Sequence, residues 1–329
     1  MRAISLKEFG GPDVLRLREV PKPRPGPDEV LIRVESAGVN RADLLERQGL
    51  YPPPGPRRAH QIPGLECAGV IEAAGDAVTT LRVGDRAMAL LPGGGYAEFA
   101  VAHERLVLPV PASMSSLAAG GVPEVFLTAF DALFDKAGVA MGDRVLVHAG
   151  ASGVGSAAIQ LAKAAGARVV TTVGSQSKRD AALRFGADYA VVYRDESWPA
   201  AVRAWSDGEG VSAILDFVGR DYLADNVGAL SPGGCLVIIG TLSGSESSLN
   251  LGRVLSQRLS IRGTALRSRP LEDKMRLVQA FRRRALPGAE RGDWAPVVDR
   301  VFALRDAAQA HQYMATNANI GKIILRCAE

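Results

Sequence analysis

The length of this chain, 329 residues, suggests about two domains, and its composition is that of a soluble globular protein. Hydrophobic residues make up 47% of the chain and charged residues 22%; the net charge of +4 is dispersed, which argues against a nucleic-acid-binding protein. Three distant cysteines do not form a disulfide framework, no apolar run reaches the roughly 18 residues of a membrane span, and the first residues lack a secretory signal, so a cytoplasmic protein is expected.

The first third of the chain is predicted to be β-rich. Short β-branched segments at 29–34 and 67–71 are bounded by glycine or proline. Turn clusters fall at 21–27, 52–56 and 92–95. Strands at this spacing indicate a barrel-like or sandwich-like unit.

From about residue 123 the pattern changes to alternating strands and helices. This alternation predicts right-handed crossovers and a parallel, doubly wound α/β sheet. The predicted strands are 144–149, 168–173, 189–193, 211–217, 234–239 and 259–264, and the predicted helices are 153–165, 177–185, 197–206 and 221–230.

A glycine-rich turn follows the first of these strands and leads directly into an alanine-rich helix. This context favours a dinucleotide-binding turn, in which the backbone approaches a pyrophosphate at the start of a helix. The motif is imperfect, because Ser152 occupies the middle position of a strict G-x-G-x-x-G, and an ordinary turn between a strand and a helix is the alternative. The predicted cofactor-binding residues are Gly150, Ser152, Gly153, Val154 and Gly155.

The end of the second strand favours NADPH over NADH. NAD-binding domains carry an acidic residue here for the ribose 2′-hydroxyl, but this chain has Gly174 at the expected position. Lys178 is the first candidate for a 2′-phosphate contact, with Ser175 and the hydroxyl of Tyr193 beside it. The alternative is that Lys178 only occupies the start of a helix, where the helix dipole disfavours a cation.

The last 60 residues are predicted to return to the first unit. An amphipathic helix at 271–284, with Arg282–Arg284 on its solvated face, precedes a strand at 320–325. The predicted domains are therefore a β-rich domain of residues 1–122 and 267–329 and an inserted cofactor domain of residues 123–266.

The whole chain resembles the zinc-free quinone oxidoreductase (zeta-crystallin-like) branch of the medium-chain dehydrogenase/reductase superfamily, and within it most resembles the stress-inducible quinone oxidoreductases. The resemblance implies a Rossmann NADPH domain inserted into a GroES-like catalytic domain, and a homodimer. It rests on NRADLLERQGLYPPPG (40–55), IPGLECAGVI (62–71), VGDRAMALLPGGGYAEF (83–99), HAGASGVGSAAIQLAKAAGA (148–167) and NIGKIIL (319–325).

The resemblance also implies that no catalytic metal is bound. The three zinc-ligand positions of zinc-dependent relatives match Asn40, Leu65 and Glu124, and this set does not supply the ligands that zinc needs. A metal-free site suits a quinone, which is already electrophilic, better than an alcohol. For Glu66 and Glu124 a structural hydrogen-bonding role is favoured and a functional role is the alternative, and Asp43 is interpreted as structural.

Further site residues follow from the resemblance. The amide of Asn40 is expected to donate to the substrate oxygen, and Tyr51 to donate a proton or to wall the pocket. The alternatives are a turn or cap for Asn40 and simple packing for Tyr51. The expected contacts to the cofactor beyond the glycine turn and the second strand are Phe217, Gly240, Asn319 and Lys322.

The sequence thus predicts an NADPH-dependent quinone oxidoreductase acting on a small molecule, with neither a membrane nor a nucleic acid as partner. Two alternatives stay open: an enone or enoyl reductase using NADPH, and a largely non-catalytic, crystallin-like NADPH-binding protein.

Overall fold

The computed structural model describes residues 1–51 and 60–327, and the predicted turn at 52–56 lies outside them. The chain forms two compact units. We call Met1–Leu127 with Leu266–Glu329 the split unit, and Thr128–Ala265 the central unit.

The elements before the central unit are mostly strands. They are β1 (Arg2–Ser5), β2 (Arg16–Glu19), β3 (Glu29–Val39), α1 (Arg41–Arg47), β4 (Glu66–Ala74), β5 (Arg86–Leu90), β6 (Phe99–His103), β7 (Val107–Pro109), α2 (Ser116–Ala119) and α3 (Pro123–Phe130).

Strands and helices then alternate. A π-helix at Asp131–Lys136 is followed by β8 (Arg144–Val147), α4 (Gly153–Ala164), β9 (Arg168–Val173), α5 (Gln176–Arg184), β10 (Tyr189–Val192), α6 (Trp198–Trp205), β11 (Val211–Asp216), α7 (Leu223–Ala229), β12 (Leu230–Ile238), α8 (Leu251–Gln257) and β13 (Ser260–Gly263).

The elements after the central unit are mainly helical. They are α9 (Leu271–Arg284), α10 (Leu286–Arg291), β14 (Val298–Ala303), α11 (Ala307–Ala315) and β15 (Lys322–Arg326).

The split unit is built on a seven-stranded sheet. Its strand order is β14-β15-β3-β4-β5-β7, and β6 pairs with β3. The last strand, β15, pairs antiparallel with β3, so the tail does return to the first unit. Gly69 allows the close pairing of β3 and β4, since a Cβ there would lie 2.0 Å from the carbonyl oxygen of Arg33.

The central unit contains the predicted parallel sheet. Its six strands lie in the order β10-β9-β8-β11-β12-β13, and every neighbouring pair is parallel. Counted from the first strand of the unit, this order is 3-2-1-4-5-6, the arrangement of dinucleotide-binding domains. The strand order reverses between β8 and β11, so the loop after β8 lies at the position where such sheets bind their ligand.

The α/β class and the insertion of the Rossmann-type unit are confirmed. The predicted strand 168–173 and helix 271–284 match β9 and α9 at both ends. The sequence prediction missed α8, because Leu251 and Leu255 are 70% and 80% exposed and its apolar residues form no buried stripe.

Candidate functional site

The glycine turn of the central unit has the close packing that a phosphate cradle requires. A Cβ on Gly150 would lie 2.0 Å from Oγ1 of Thr171, and one on Gly155 would lie 2.3 Å from the carbonyl oxygen of Ala149. Ser152 precedes α4, and its Oγ accepts a hydrogen bond from the Gly155 N–H at 3.0 Å.

The start of α4 can receive an anion. Gly153 and Val154 are partly exposed and stand in its first turn, where backbone N–H groups have no carbonyl partner within the helix. These N–H groups and the helix dipole favour a phosphate. The residues predicted for the pyrophosphate therefore fit a dinucleotide.

The residues predicted for the 2′-phosphate lie together at the ends of β9 and β10. A Cβ on Gly174 would lie 3.0 Å from the hydroxyl of Tyr193, so an acidic side chain at this position would require Tyr193 to move. Ser175 caps α5, and its Oγ accepts from the N–H of Lys178 at 3.4 Å. The structure thus groups Gly174, Ser175, Lys178 and Tyr193.

Hydrogen bonds and close packing connect the ends of β11 and β12, which lie in the same sheet. The N–H of Gly240 donates to the carbonyl oxygen of Asp216 at 3.2 Å, and a Cβ on Gly240 would lie 3.1 Å from that of Phe217. The Asp216 carboxylate accepts from the N–H groups of Val218 and Gly219, and burial raises its pKa to about 6. The sequence did not predict Asp216 as a site residue, because in the local sequence it looks like an ordinary last residue of a strand.

In the split unit, Asn40 and Lys322 meet in a buried polar cluster. The Asn40 amide donates to Oε1 of Glu66 at 2.9 Å. The Lys322 ammonium donates to Oδ1 of Asn40 at 2.6 Å, to Oε1 of Glu66 at 2.7 Å and to the carbonyl oxygen of Val39 at 3.0 Å. The predicted substrate donor Asn40 therefore uses its amide within the protein, and the cofactor role of Lys322 stays a prediction.

Asn319, the other predicted contact from the tail, is also buried. It is 9% exposed, and its side-chain amide donates to the carbonyl oxygen of Gly321 at 2.8 Å. This bond shapes the turn before β15, and the expected contact of Asn319 with the cofactor stays a prediction.

A second buried group of hydrogen-bonded polar side chains adjoins Asn40. The Tyr96 hydroxyl donates to Oδ2 of Asp43 at 2.8 Å and lies 3.1 Å from Nε2 of His311. The same carboxylate accepts from the backbone N–H of Asn40 at 2.8 Å, which fixes the start of α1. Burial raises the pKa of Asp43 to about 7 and lowers that of His311 to about 3.

Arg267 holds Tyr51 in place. Its guanidinium forms a buried ion pair with Glu46 at 2.6 Å and donates to the carbonyl oxygen of Tyr51 at 2.8 Å. It also donates to the carbonyl oxygen of Pro92 at 3.2 Å and lies 5.4 Å from the centre of the Tyr51 ring. Burial, and then the nearby Glu124, raise the pKa of the Tyr51 phenol.

A cavity of about 60 Å³ lies in the split unit. Its walls are mostly leucine side chains, and its polar lining consists of one carboxyl group and two cations. The lining residues are Leu65, Leu90, Leu91, Pro92, Leu106, Glu124, Leu266, Arg267, Leu271 and Lys274.

Lys274 was missed by sequence reasoning although a signal was present. It is 9% exposed and lies among the buried residues of α9 with Met275, Val278 and Phe281. A lysine on the apolar stripe of an amphipathic helix is a departure from the usual pattern, since buried lysines are rare unless paired. Arg267 gave no local signal, because its partner Glu46 is 221 residues away in the chain.

Comparison with known proteins assigns the family. Residues 26–112 match the alcohol dehydrogenase GroES-like domain, and residues 153–281 match the zinc-binding dehydrogenase family. Rat quinone oxidoreductase is 34% identical over 99% of this chain and 97% of its own. The chain belongs to the quinone oxidoreductase family of medium-chain dehydrogenases/reductases.

Two solved structures extend the comparison. Escherichia coli quinone oxidoreductase complexed with NADPH is 27% identical, with a TM-score of 0.88 over 99% of this chain and 100% of that one. A structure described as an NAD-dependent alcohol dehydrogenase is 34% identical, with a TM-score of 0.88 over the whole of both chains. The similar structures thus include proteins described with each of the two nicotinamide coenzymes.

Leu65 and Glu124 are two of the three positions that the resemblance leads us to compare with zinc ligands. Leu65 is 1% exposed and lines the cavity. The backbone N–H of Glu124 donates to Oε2 of Glu66 at 2.8 Å, and burial together with Glu66 raises the pKa of the Glu124 carboxyl to about 8. Within residues 1–51 and 60–327, no three histidine, cysteine or acidic side chains are grouped so as to hold a metal ion.

The described helices of this quinone oxidoreductase family member were compared with the length and apolarity of a membrane span. Among the described residues, none is both long and apolar enough to cross a membrane.

Proposed function

We propose that this chain is an NADPH-dependent quinone oxidoreductase that works without a bound metal. The observation that carries the proposal is the combination of a glycine cradle at α4 with an acid-free, basic end of β9. The E. coli relative complexed with NADPH supports the same coenzyme. When bound, this coenzyme supplies a hydride.

The chain's own residues bind and orient this coenzyme. Gly150 and Gly155 leave room for a pyrophosphate, and the N–H groups of Gly153 and Val154 bind it. Lys178 attracts the 2′-phosphate as a cation, and Ser175 and Tyr193 hydrogen-bond it. No carboxylate at position 174 repels this phosphate, which is why NADPH is proposed despite the relative described as NAD-dependent.

The acceptor binds in the split unit in this proposal. The leucine walls of the cavity suit the edge of an apolar ring, and Tyr51 is held near it by Arg267. A quinone needs no metal for activation, because hydrogen-bond donors at its carbonyl are sufficient.

The decisive experiment is a screen of NADPH oxidation with ortho-quinones, para-quinones, enones and enoyl thioesters. Steady oxidation that is fastest with quinones supports the proposal. Faster turnover of enones would assign an enone reductase instead, and tight NADPH binding with no turnover would assign a non-catalytic NADPH-binding protein.

Metal analysis tests the second half of the proposal. The purified protein is expected to contain no stoichiometric zinc and to keep its activity in a chelator. Stoichiometric zinc, with loss of activity on its removal and recovery on its return, would contradict a metal-free reaction.

We also propose that the chain forms a homodimer through β13. This strand is the last of the parallel sheet and pairs only with β12 within the described chain. Edge strands offer backbone groups to a second copy. Sedimentation equilibrium tests the proposal, and a monomer at micromolar concentration would contradict it.

A further inference from the structure

The ammonium group of Lys274 has hydrogen-bonding capacity that the described protein does not use. An ammonium carries three N–H donors. Within residues 1–51 and 60–327, Nζ of Lys274 has one described acceptor, the carbonyl oxygen of Arg267 at 2.7 Å, and it forms no ion pair with a carboxylate. The side chain is 9% exposed and lines the cavity.

No carboxylate of the described residues forms a direct ion pair with Lys274. Arg267 is also a cation, and its own charge is balanced by Glu46 at 2.6 Å. Glu124 is the one acidic residue in the cavity lining; it favours the ammonium form of Lys274, but burial is the larger effect and lowers the pKa of this lysine. Leaving an ammonium uncompensated at a buried site is costly, so an electron-rich oxygen entering the cavity would be stabilised.

The size of the cavity limits what can enter. About 60 Å³ is room for about four to six water molecules. That volume accommodates the oxygen-bearing edge of a ring, while the rest of a larger acceptor stays outside the enclosed space.

We propose that Lys274 is the residue that binds the acceptor's oxygen, and that the cavity stabilises a phenolate. This inference rests on the proposed function, in which the acceptor is a quinone. Addition of a hydride to a quinone gives a hydroquinone monoanion with its charge on an oxygen, and Lys274 binds that oxygen. A proton from solvent then completes the neutral hydroquinone.

Lys274 has unused donors where Asn40 and Lys322 do not. The Asn40 amide already donates to Glu66, and Lys322 donates to three protein oxygens. Among these groups, Lys274 is the cation that combines burial, a place in the cavity lining and unused donors.

The test uses 4-nitrophenol, whose ionised form absorbs visible light, and needs neither NADPH nor turnover. The wild-type protein is expected to bind this probe as the phenolate at pH 6, where most of the free probe is protonated. Lys274→Met is expected to weaken binding about tenfold or more and to abolish the phenolate absorbance. Lys22→Met is the control, because Lys22 is an exposed residue paired with Glu72.

Rescue separates binding from folding. Lys274→Ala leaves space for ethylammonium, which is expected to restore the phenolate signal in a saturable way, while circular dichroism reports that the variant is folded. Equal affinity and an equal phenolate fraction in the wild type and Lys274→Met would overturn the proposal, as would Lys274→Ala binding the phenolate as well as the wild type without ethylammonium.

The outcome is distinguishable from failure of the proposed function. If quinones are not reduced but the phenolate signal depends on Lys274, the oxygen-binding role stands and the acceptor class is wrong. If quinones are reduced with an unchanged KM in Lys274→Met and the probe signal is also unchanged, the function stands and the Lys274 proposal falls.

Discussion

At the scale of single residues, Lys178 is proposed to separate the two nicotinamide coenzymes. A charge-assisted hydrogen bond contributes about 1.5–3 kcal/mol, which corresponds to tenfold or more in affinity. Lys178→Ala is therefore expected to raise the KM for NADPH about tenfold or more and to change that for NADH little, as measured by initial rates with each coenzyme.

Lys163 provides the matched control for that substitution. It lies in α4 of the same unit, and its ammonium pairs with Asp188 at 2.8 Å. Lys163→Ala is expected to leave the preference between the coenzymes unchanged. Equal effects of Lys178→Ala on NADPH and NADH would show that the lysine does not contact the 2′-phosphate.

The site residues that the sequence predicted and those that it missed differ in how far apart in the chain their contacting partners lie. The glycine turn was predicted because its function depends on consecutive backbone groups after a strand. Arg267 acts through Glu46, 221 residues away in the chain, so the sequence alone does not bring them together, whereas Lys274 left a local signal as a lysine among the buried residues of α9. Asn40 was placed at the site by resemblance, but its engagement with Glu66 is a tertiary contact that no local pattern contains.

At the scale of elements, the contact between the glycine turn and α4 depends on a missing side chain. Gly155→Ala would place a Cβ 2.3 Å from a backbone oxygen, so the turn and the helix would have to move apart. Overpacking of this kind costs about 1–3 kcal/mol, and we expect weaker NADPH binding as well. Urea unfolding and a fluorescence titration with NADPH measure the two effects.

Gly228 in α7 is the matched control for Gly155. A Cβ there would meet no atom within 4 Å, so Gly228→Ala should stabilise the helix by about 0.5–1 kcal/mol and leave NADPH binding unchanged. A Gly155→Ala protein as stable as the wild type and binding NADPH equally would refute the close-packing argument.

The two sheets differ in how far the sequence predicts them. The parallel strands of the central unit are mostly short apolar runs, several of them next to a glycine, and their alternation with helices implies the topology. The sheet of the split unit was predicted only as barrel-like or sandwich-like. Its order depends on pairing between segments as distant as β3 and β15, which hydrophobic patterns do not specify.

At the scale of the whole molecule, Lys322 joins the end of the chain to its beginning. Its ion pair with Glu66 spans 256 residues, and both side chains are almost completely buried. Removing one partner of such a pair leaves an uncompensated buried charge and costs about 3–5 kcal/mol. Lys322→Met is therefore expected to lower the free energy of unfolding by that amount in urea titrations.

A second substitution tests whether charge is the cause. Glu66→Leu in the Lys322→Met background removes the stranded carboxylate, so the double variant is expected to recover part of the lost stability. If the loss of unfolding free energy in the double variant equals the sum of the losses in Lys322→Met and Glu66→Leu, the ion pair is not the interaction that stabilises this junction.

The pH dependence of stability has two opposing components, one in each unit. Burial lowers the pKa of His148 in the central unit from 6.5 to about 4, so folding favours the neutral imidazole. The stability it supplies is complete above pH 6.5 and is lost as the pH falls toward 4, by about 3 kcal/mol.

Burial raises the pKa of Asp43 in the split unit from 3.8 to about 7, so folding favours the protonated carboxyl. Its contribution is complete below pH 3.8 and is lost as the pH rises toward 7.

Substitutions that remove each titration isolate the two components. The difference in unfolding free energy between the wild type and His148→Gln is expected to increase from pH 4 to 6.5 and then level off. For Asp43→Asn the same difference is expected to decrease from pH 4 to 7. Urea unfolding across this range measures both, with Asp76→Asn as a control because Asp76 lies in an exposed turn.

A difference in unfolding free energy that does not change with pH would contradict either component. For His148→Gln it would mean that this imidazole is solvated or charged in the folded protein, and for Asp43→Asn that the Asp43 carboxylate stays ionised beside Tyr96.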